Sequence, residues 1–341
     1  GLRYLETAQF SLVRECLRER ALLLKLAPEL VRLQPFYIPV YPTTQRRPWQ
    51  LRIGLMLYKI LTGISKAGHF NIMPRNSWDT LDGLDIKDMQ AVFRYWDAQT
   101  DDAALTRAVA RSALDLGAEL LIPAVFISAH LHKSGCTVRY QKDGKDYTCE
   151  CSVIVNASGP WVNRVLDRIT PVPDKMEIEL VQGTHILIEG QLTQGIYYLE
   201  APQDQRAVFA MPWHNRILIG TTESPYRGTP AEVKPLPHEQ AYLLATFGHY
   251  FPDYGSLRQS DIITSYAGLR VLPASEDSAF LRSRETTVYT DRVVRPRVMS
   301  IYGGKLTTYR ATAEKVMNQL IRSLPQRKII ADTKELALTP V

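Results

Sequence analysis

Two stretches of this sequence put small residues and a helix start directly after an apolar run, which lets backbone approach a large ligand. In the first, Val153-Ile154-Val155 leads into Asn156-Ala157-Ser158-Gly159-Pro160-Trp161. Ala157, Gly159, Pro160 and Trp161 follow a strand whose end is kept open by small residues, where bulkier side chains would block a ligand. The same residues also make an ordinary turn, so the stretch reads both ways. In the second, VMSIYGGKLTTYR (298–310), Gly303 and Gly304 precede a helix that begins at Lys305. Its first turn, Lys305-Leu306-Thr307-Thr308, aims free N–H groups at an anionic ligand, as helix N-termini do. A plain Gly-Gly turn before a Thr-rich helix accounts for these residues equally well.

A third set is scattered: Arg3, His185, Arg270 and Arg284. Arg270 lies in SYAGLRVLP (265–273) at a strand end, where a guanidinium can grip phosphate through two parallel hydrogen bonds. His185 lies inside the apolar strand 179–189, on the face shared with Gly183 and Leu187 and opposite Thr184 and Ile186. An imidazole there can serve as a base, and it is also a common core residue.

The elements that must carry these groups follow from periodicity. Residues 7–27 read as a helix, with Phe10, Val13, Leu17 and Leu24 on one face and Pro28 as its stop. Residues 46–66 mix Trp49, Ile53, Met56, Leu57 and Ile60 with Arg46, Arg47, Arg52, Lys59 and Lys66. That mixture suits a helix in a membrane interface, or one packed on its own protein with snorkelling basic stems. Asp101-Asp102 caps a helix that Gly117 closes. A hairpin turns at Asp143-Gly144, and Val153-Ile154-Val155, with no polar alternation, predicts a strand buried on both faces. Residues 176–222 read as strands, 238–250 as a helix, and 262–269, 286–290 and 297–301 as further strands. Strand-rich sequence set between nucleotide-fold-like pieces predicts an α/β fold: a discontinuous Rossmann-like domain with an inserted antiparallel β-sheet plus helices. The expected boundaries are 1–35, 96–175 and 294–325 for the first domain, 36–95 and 176–293 for the inserted one, and 326–341 as a linker stub.

The 341 residues carry 41 basic and 35 acidic side chains, a net charge of +6. This mild, dispersed excess fits an anionic substrate or membrane surface and argues against nucleic acid. The four cysteines form no Cys-x-x-Cys, so neither a zinc site nor a disulfide framework is expected, only reduced thiols in a cytoplasmic setting. No uncharged apolar run approaches the roughly 20 residues that span a bilayer.

The motifs GLRYLE (1–6), FSLVRECLRER (10–20), RIGLMLY (52–58), TDDAAL (100–105), NASGPW (156–161), VQGTHILI (181–188), IGTTE (219–223), YAGLRVLP (266–273), SRETTV (283–288) and YGGKLTTYR (302–310) occur in order. Together they resemble the FAD-dependent glycerol-3-phosphate dehydrogenase family, which includes the glycerol-3-phosphate oxidases. The resemblance implies that sn-glycerol 3-phosphate is oxidised at its C2 hydroxyl to dihydroxyacetone phosphate, with hydride passing to FAD. It makes His185 the base, Arg270 the main substrate cation, and Lys305 a catalytic residue at the flavin–substrate edge. Arg3 and Arg284 would bind phosphate, and Tyr4 would line the pocket. Ala157, Gly159, Pro160, Trp161, Gly304, Lys305, Leu306 and Thr307 would contact the flavin, with Phe126 near the adenosine. Electrons would pass to a membrane quinone, or to oxygen in the oxidase branch. The protein would be cytoplasmic and peripheral on the inner face of the cytoplasmic membrane; a homodimer is compatible with this.

The departures also carry an expectation. The family's first strand–turn–helix, whose Gly-rich turn lies under the FAD pyrophosphate, has no match here, and no G-x-G-x-x-G occurs in the sequence. The chain therefore reads as a Rossmann-like core lacking its first βαβ unit and a C-terminal helical domain. The alternative to an active dehydrogenase is a truncated, non-catalytic core that binds no flavin.

Overall fold

Local signals set the element ends. Asp101 accepts a hydrogen bond from the Ala104 N–H at 2.8 Å and so caps the helix beginning at Asp102. Asp143 and Gly144 both take positive φ (51° and 73°), the backbone twist that a two-residue hairpin turn needs. The computed structural model describes residues 10–62, 68–274 and 285–341. In chain order its elements are α1 (Phe10–Leu26), β1 (Val31–Val40), α2 (Pro48–Thr62), β2 (Phe70–Ile72), β3 (Ala91–Thr100) and α3 (Asp102–Asp115). The hairpin strands β4 (Val125–His132), β5 (Gly135–Lys142) and β6 (Lys145–Cys151) come next, then β7 (Ile154–Asn156), α4 (Val162–Leu166) and β8 (Ile169–Thr170). β9 (Ile178–Ile188), β10 (Ile196–Glu200), β11 (Ala207–Trp213), β12 (Arg216–Gly220), β13 (Ser224–Tyr226) and α5 (Pro237–Tyr250) follow. The chain ends with β14 (Ile262–Pro273), β15 (Thr287–Thr290), β16 (Val298–Tyr302) and α6 (Tyr309–Leu320). The fold is α/β.

The chain divides into two units, each assembled from separated segments. The first takes the described residues within 1–17, 32–99 and 181–269, and the second those within 18–31, 100–180 and 270–341.

The first unit is organised on a sheet of order β13-β9-β12-β11-β10-β1-β3-β2, with β14 also on β9. Most of its pairings are antiparallel, and β1 runs parallel to β10. Alternation divides its faces. Ile186, Ile188, Ile217, Ile219 and Tyr197 point to one side, where Leu243, Leu244 and Phe247 of α5 cover them. On the opposite side Leu55 of α2 packs on Ile38, Val40, Phe93 and Tyr95.

The second unit holds two smaller sheets, β15-β16-β7 and β6-β5-β4-β8. Val316 and Leu320 of α6 pack on Met299 of β16. Val155 departs from the expected burial: it is 44% exposed. β7 is a three-residue strand at the edge of its sheet, bonded to β16, so its outer side lies beyond the cover of α6. Within 326–341, Leu338 is buried and its N–H bonds the Leu26 carbonyl at 2.7 Å, while Ile329 and Ile330 are exposed.

Arg310 of α6 and Glu19 of α1 are both buried and share a two-pronged ion pair, Nε to Oε2 at 2.8 Å and Nη2 to Oε1 at 2.5 Å. Removing one member of such a pair strands the other charge out of water. Glu19→Ala should therefore lower unfolding free energy by about 3 kcal/mol, the low end for a buried pair because Glu314 still reaches Arg310. Urea unfolding checks this; a loss under about 1 kcal/mol would mean the pair is solvent-screened.

Candidate functional site

The two small-residue turns emerge side by side. β7 and β16 are adjacent parallel strands in the register Val298↔Ile154, Met299↔Val155 and Ser300↔Asn156. Their carboxyl ends therefore open at one edge, where α/β sheets bind ligands. Ala157, Ser158 and a short 3-10 turn (Gly159–Trp161) leave from β7. Gly303, Gly304 and Lys305 leave from β16 ahead of a second 3-10 turn (Leu306–Thr308) and then α6. The regular helix thus begins four residues after Lys305, which itself has extended backbone.

Hydrogen bonds fix each turn and tie their flanks together. Buried Asn156 accepts from the Ser158 hydroxyl at 2.6 Å and donates to the Val162 carbonyl at 2.9 Å, which closes the 156–162 turn. The Tyr302 hydroxyl donates to Asn163 Oδ1 at 2.8 Å and accepts from the Met176 N–H at 3.3 Å. Gly303 and Gly304 take φ of +70° and +99°, where side chains are strained. A Cβ on Gly303 would stand 3.1 Å from the Glu285 carbonyl oxygen and 3.8 Å from that of Val271. The turn therefore lies close to the backbone that follows Arg270. Arg270 itself is half-buried on β14. Ala157, Trp161, Gly303, Gly304 and Leu306 are exposed; Gly159, Pro160, Lys305 and Thr307 are half-buried.

In the first unit, His185 is half-buried on the sheet face opposite the α5 core, as alternation requires. It pairs with Gly220 across the β9–β12 ladder, and its ring stacks on Tyr266 with centroids 5.1 Å apart and planes at 10°. A Cβ at Gly220 would fall 2.1 Å from His185 Cδ2, so glycine there leaves room for the imidazole. The next residues on that row are aromatic: Phe209 pairs with Gly220, and Tyr198 pairs with Phe209. Beside His185, buried Glu239 accepts from Thr184, Thr222, Ser224 and Gln182 side chains and from the Leu236 N–H. It holds β9 to the segment after β12.

Phe126, on β4, is half-buried against the cluster that holds Ala129, Leu131 and Val298. Arg3, Tyr4 and Arg284 lie outside the described residues. A cavity of about 600 Å³ between α1, α3, α6 and residues 329–338 contains none of the expected site residues. Sequence reading missed Gly220, Tyr266, Asn163 and Glu239. Asn156 carried a signal, since an Asn closing a strand favours a side-chain-bonded turn.

The family described as FAD dependent oxidoreductase (DAO) matches residues 1–310. The chain belongs to this family. Two relatives of this FAD dependent oxidoreductase are the aerobic glycerol-3-phosphate dehydrogenase of Escherichia coli (strain K12) and the D-erythritol 1-phosphate dehydrogenase of Brucella abortus (strain 2308). The first is 34% identical over 94% of this chain and 64% of that protein; the second is 33% identical over 96% of this chain and 65% of that protein. The chain thus spans under two thirds of the length of these curated relatives. Among solved structures, the glycerol-3-phosphate dehydrogenase of Bacillus halodurans complexed with FAD superposes with a TM-score of 0.74 at 22% identity. That match covers 94% of this chain and 57% of the other. It bears on the fold.

FAD is the cofactor of the family. The second unit suits such a group: two exposed turns of small residues, with bare backbone at Gly303 and Gly304, stand at one strand edge.

Burial raises the Glu239 carboxyl, but hydrogen bonds from Thr184, Ser224, Leu236 and Thr222 outweigh it and leave the group below the usual carboxylate range. A depressed folded value contributes stability above the unfolded value of about 4.3, and loses it as pH falls through the folded value. Glu239→Gln should therefore melt below the unsubstituted protein at pH 7, with the gap closing under about pH 4. Thermal melts across pH check this; a gap independent of pH would mean the charge is not what holds β9.

Proposed function

We propose that this protein oxidises sn-glycerol 3-phosphate at its C2 hydroxyl to dihydroxyacetone phosphate, with FAD as cofactor. The observation that carries the reading is the pair of turns, Ala157 to Trp161 and Gly304 to Thr307, at the ends of adjacent parallel strands. Ala157, Gly159, Pro160, Trp161, Gly304, Lys305, Leu306 and Thr307 would hold the flavin, which makes the second unit the flavin-binding domain and the first the substrate domain. When bound, FAD supplies the two-electron acceptor for the carbinol carbon.

The rest falls to the chain's own side chains. His185 takes the C2 hydroxyl proton on an imidazole nitrogen, with Tyr266 and Gly220 setting the ring plane. Arg270 would hold the phosphate dianion, and the family resemblance assigns the same substrate to Arg3, Tyr4 and Arg284, which lie outside the described residues. Lys305 would place positive charge beside the flavin, where it would offset negative charge gained on reduction. Phe126 serves the adenosine end.

For the electron acceptor we favour a membrane quinone, on the strength of α2. Trp49, Ile53, Met56, Leu57 and Ile60 recur at helical spacing and are exposed, Trp49 at 64% and Ile60 at 69%. Arg52 and Lys59 flank them, while Leu55 and Tyr58 anchor the helix from its buried side. An apolar stripe bordered by basic residues suits an anionic lipid surface, such as the inner face of the cytoplasmic membrane. No helix among the described residues is long and apolar enough to cross a membrane. The erythritol-phosphate relative favours a second reading, a longer polyol phosphate oxidised by the same groups.

Anaerobic bleaching of the flavin absorbance tests the reaction. Glycerol 3-phosphate should bleach it; His185→Asn should keep the flavin and slow bleaching about 100-fold. An unchanged rate removes His185 from the chemistry. Preference for erythritol 1-phosphate selects the second substrate, and stoichiometric peroxide in air selects oxygen as acceptor. The α2 reading predicts that replacing Ile53 and Ile60 together by Glu cuts sedimentation with anionic vesicles about 10-fold or more. Equal sedimentation would place the contact elsewhere.

A further inference from the structure

Cys136 and Cys151 face each other directly across the β5–β6 ladder of the second unit. We propose that these two thiols form a reversible disulfide, a redox-modification site on the β5–β6 hairpin.

Directly opposed residues of an antiparallel pair have Cα atoms about 4.5–5.5 Å apart, inside the roughly 4.4–6.8 Å window of natural disulfides. The strands are close here: a Cβ added to Gly135 would stand 2.3 Å from the Cys151 carbonyl oxygen and 3.3 Å from its carbon. Both sulfurs point to the same side. Cys136 is fully buried among Ala129, Leu131, Leu166, Ile169 and Val298, and half-buried Cys151 packs against that same cluster. The remaining thiols compete poorly. Cys149 pairs with Val138, which sets it diagonal to Cys136 at about 7–8 Å. It is also about 7 Å from Cys151 along the strand, well beyond the roughly 3.8 Å between disulfide Cβ atoms. Cys16 is on α1.

The two thiols differ in a way that orders the chemistry. The interaction between the two thiols brings the Cys151 pKa down to about 7 and pushes that of Cys136 up, and the Cys136 thiol, still protonated, donates to the Arg297 carbonyl at 3.4 Å. Cys151 is also the more exposed of the two. With hydrogen peroxide as oxidant, the Cys151 thiolate attacks one peroxide oxygen, breaks the O–O bond and becomes a sulfenic acid, releasing hydroxide. The Cys136 sulfur then attacks the Cys151 sulfur and displaces the sulfenic oxygen as a second hydroxide. The thiol proton of Cys136 and one from solvent convert both hydroxides to water. Two thiols lose two electrons in total and one peroxide gains them; a dithiol reductant reverses the change.

The test is a thiol count with a peptide map on the intact protein. After brief peroxide treatment, the denatured protein should titrate with two thiols in place of four, and dithiothreitol should restore four. A non-reducing tryptic map should link peptide 134–139, which carries Cys136, to peptide 146–164, which carries Cys149 and Cys151. Cys149→Ser should keep the link and Cys151→Ser should lose it. A link that survives Cys151→Ser, a bridge to Cys16, or Cys151 oxidised to sulfinic acid beside an intact Cys136 thiol would overturn the proposal.

Discussion

The parallel ladder between β7 and β16 is the constraint on which the flavin-side reading depends. Residues some 140 positions apart enter one register there, Ser300 opposite Asn156, and their chains leave the sheet at the same edge. A shift by one residue would turn every side chain to the other face and separate the turns. Tyr302 guards against that shift, because its hydroxyl reaches Asn163 beyond the partner turn. The glycines complete the arrangement: a Cβ on Gly303 would stand 3.1 Å from the Glu285 carbonyl oxygen, and one on Gly304 would stand 3.1 Å from the Thr286 hydroxyl.

The first unit applies the same logic to a single side chain. Core packing of Ile186 and Ile188 under α5 orients the neighbouring position, so His185 must face the other way. Gly220 then gives the ring space, Tyr266 gives it a stacking surface, and Glu239 clamps the strand beside it. The orientation of the imidazole is thus decided by residues that need not touch a substrate themselves. The ring lies outside the α5 cluster and stacks on Tyr266 instead.

Much of this was legible locally. The Asp101 cap, the Asp143-Gly144 turn, the face of His185 and the two strand-to-turn junctions all follow from residue type and period-two alternation. The rest depends on partners distant in sequence. Nothing near Val155 announces that its strand is an edge, and nothing near residues 326–341 announces that Leu338 bonds to Leu26. The Tyr266 stack on His185 and the Tyr302–Asn163 bond are likewise products of tertiary register. The resemblance named the chemistry; the register explains how two unremarkable turns become one edge.

Hydrogen–deuterium exchange of the amides at 157–161 and 303–308, with and without added FAD, tests that edge most directly. Slowed exchange in both segments together is the predicted result. Slowing in one segment alone, or in neither, would contradict a shared flavin seat.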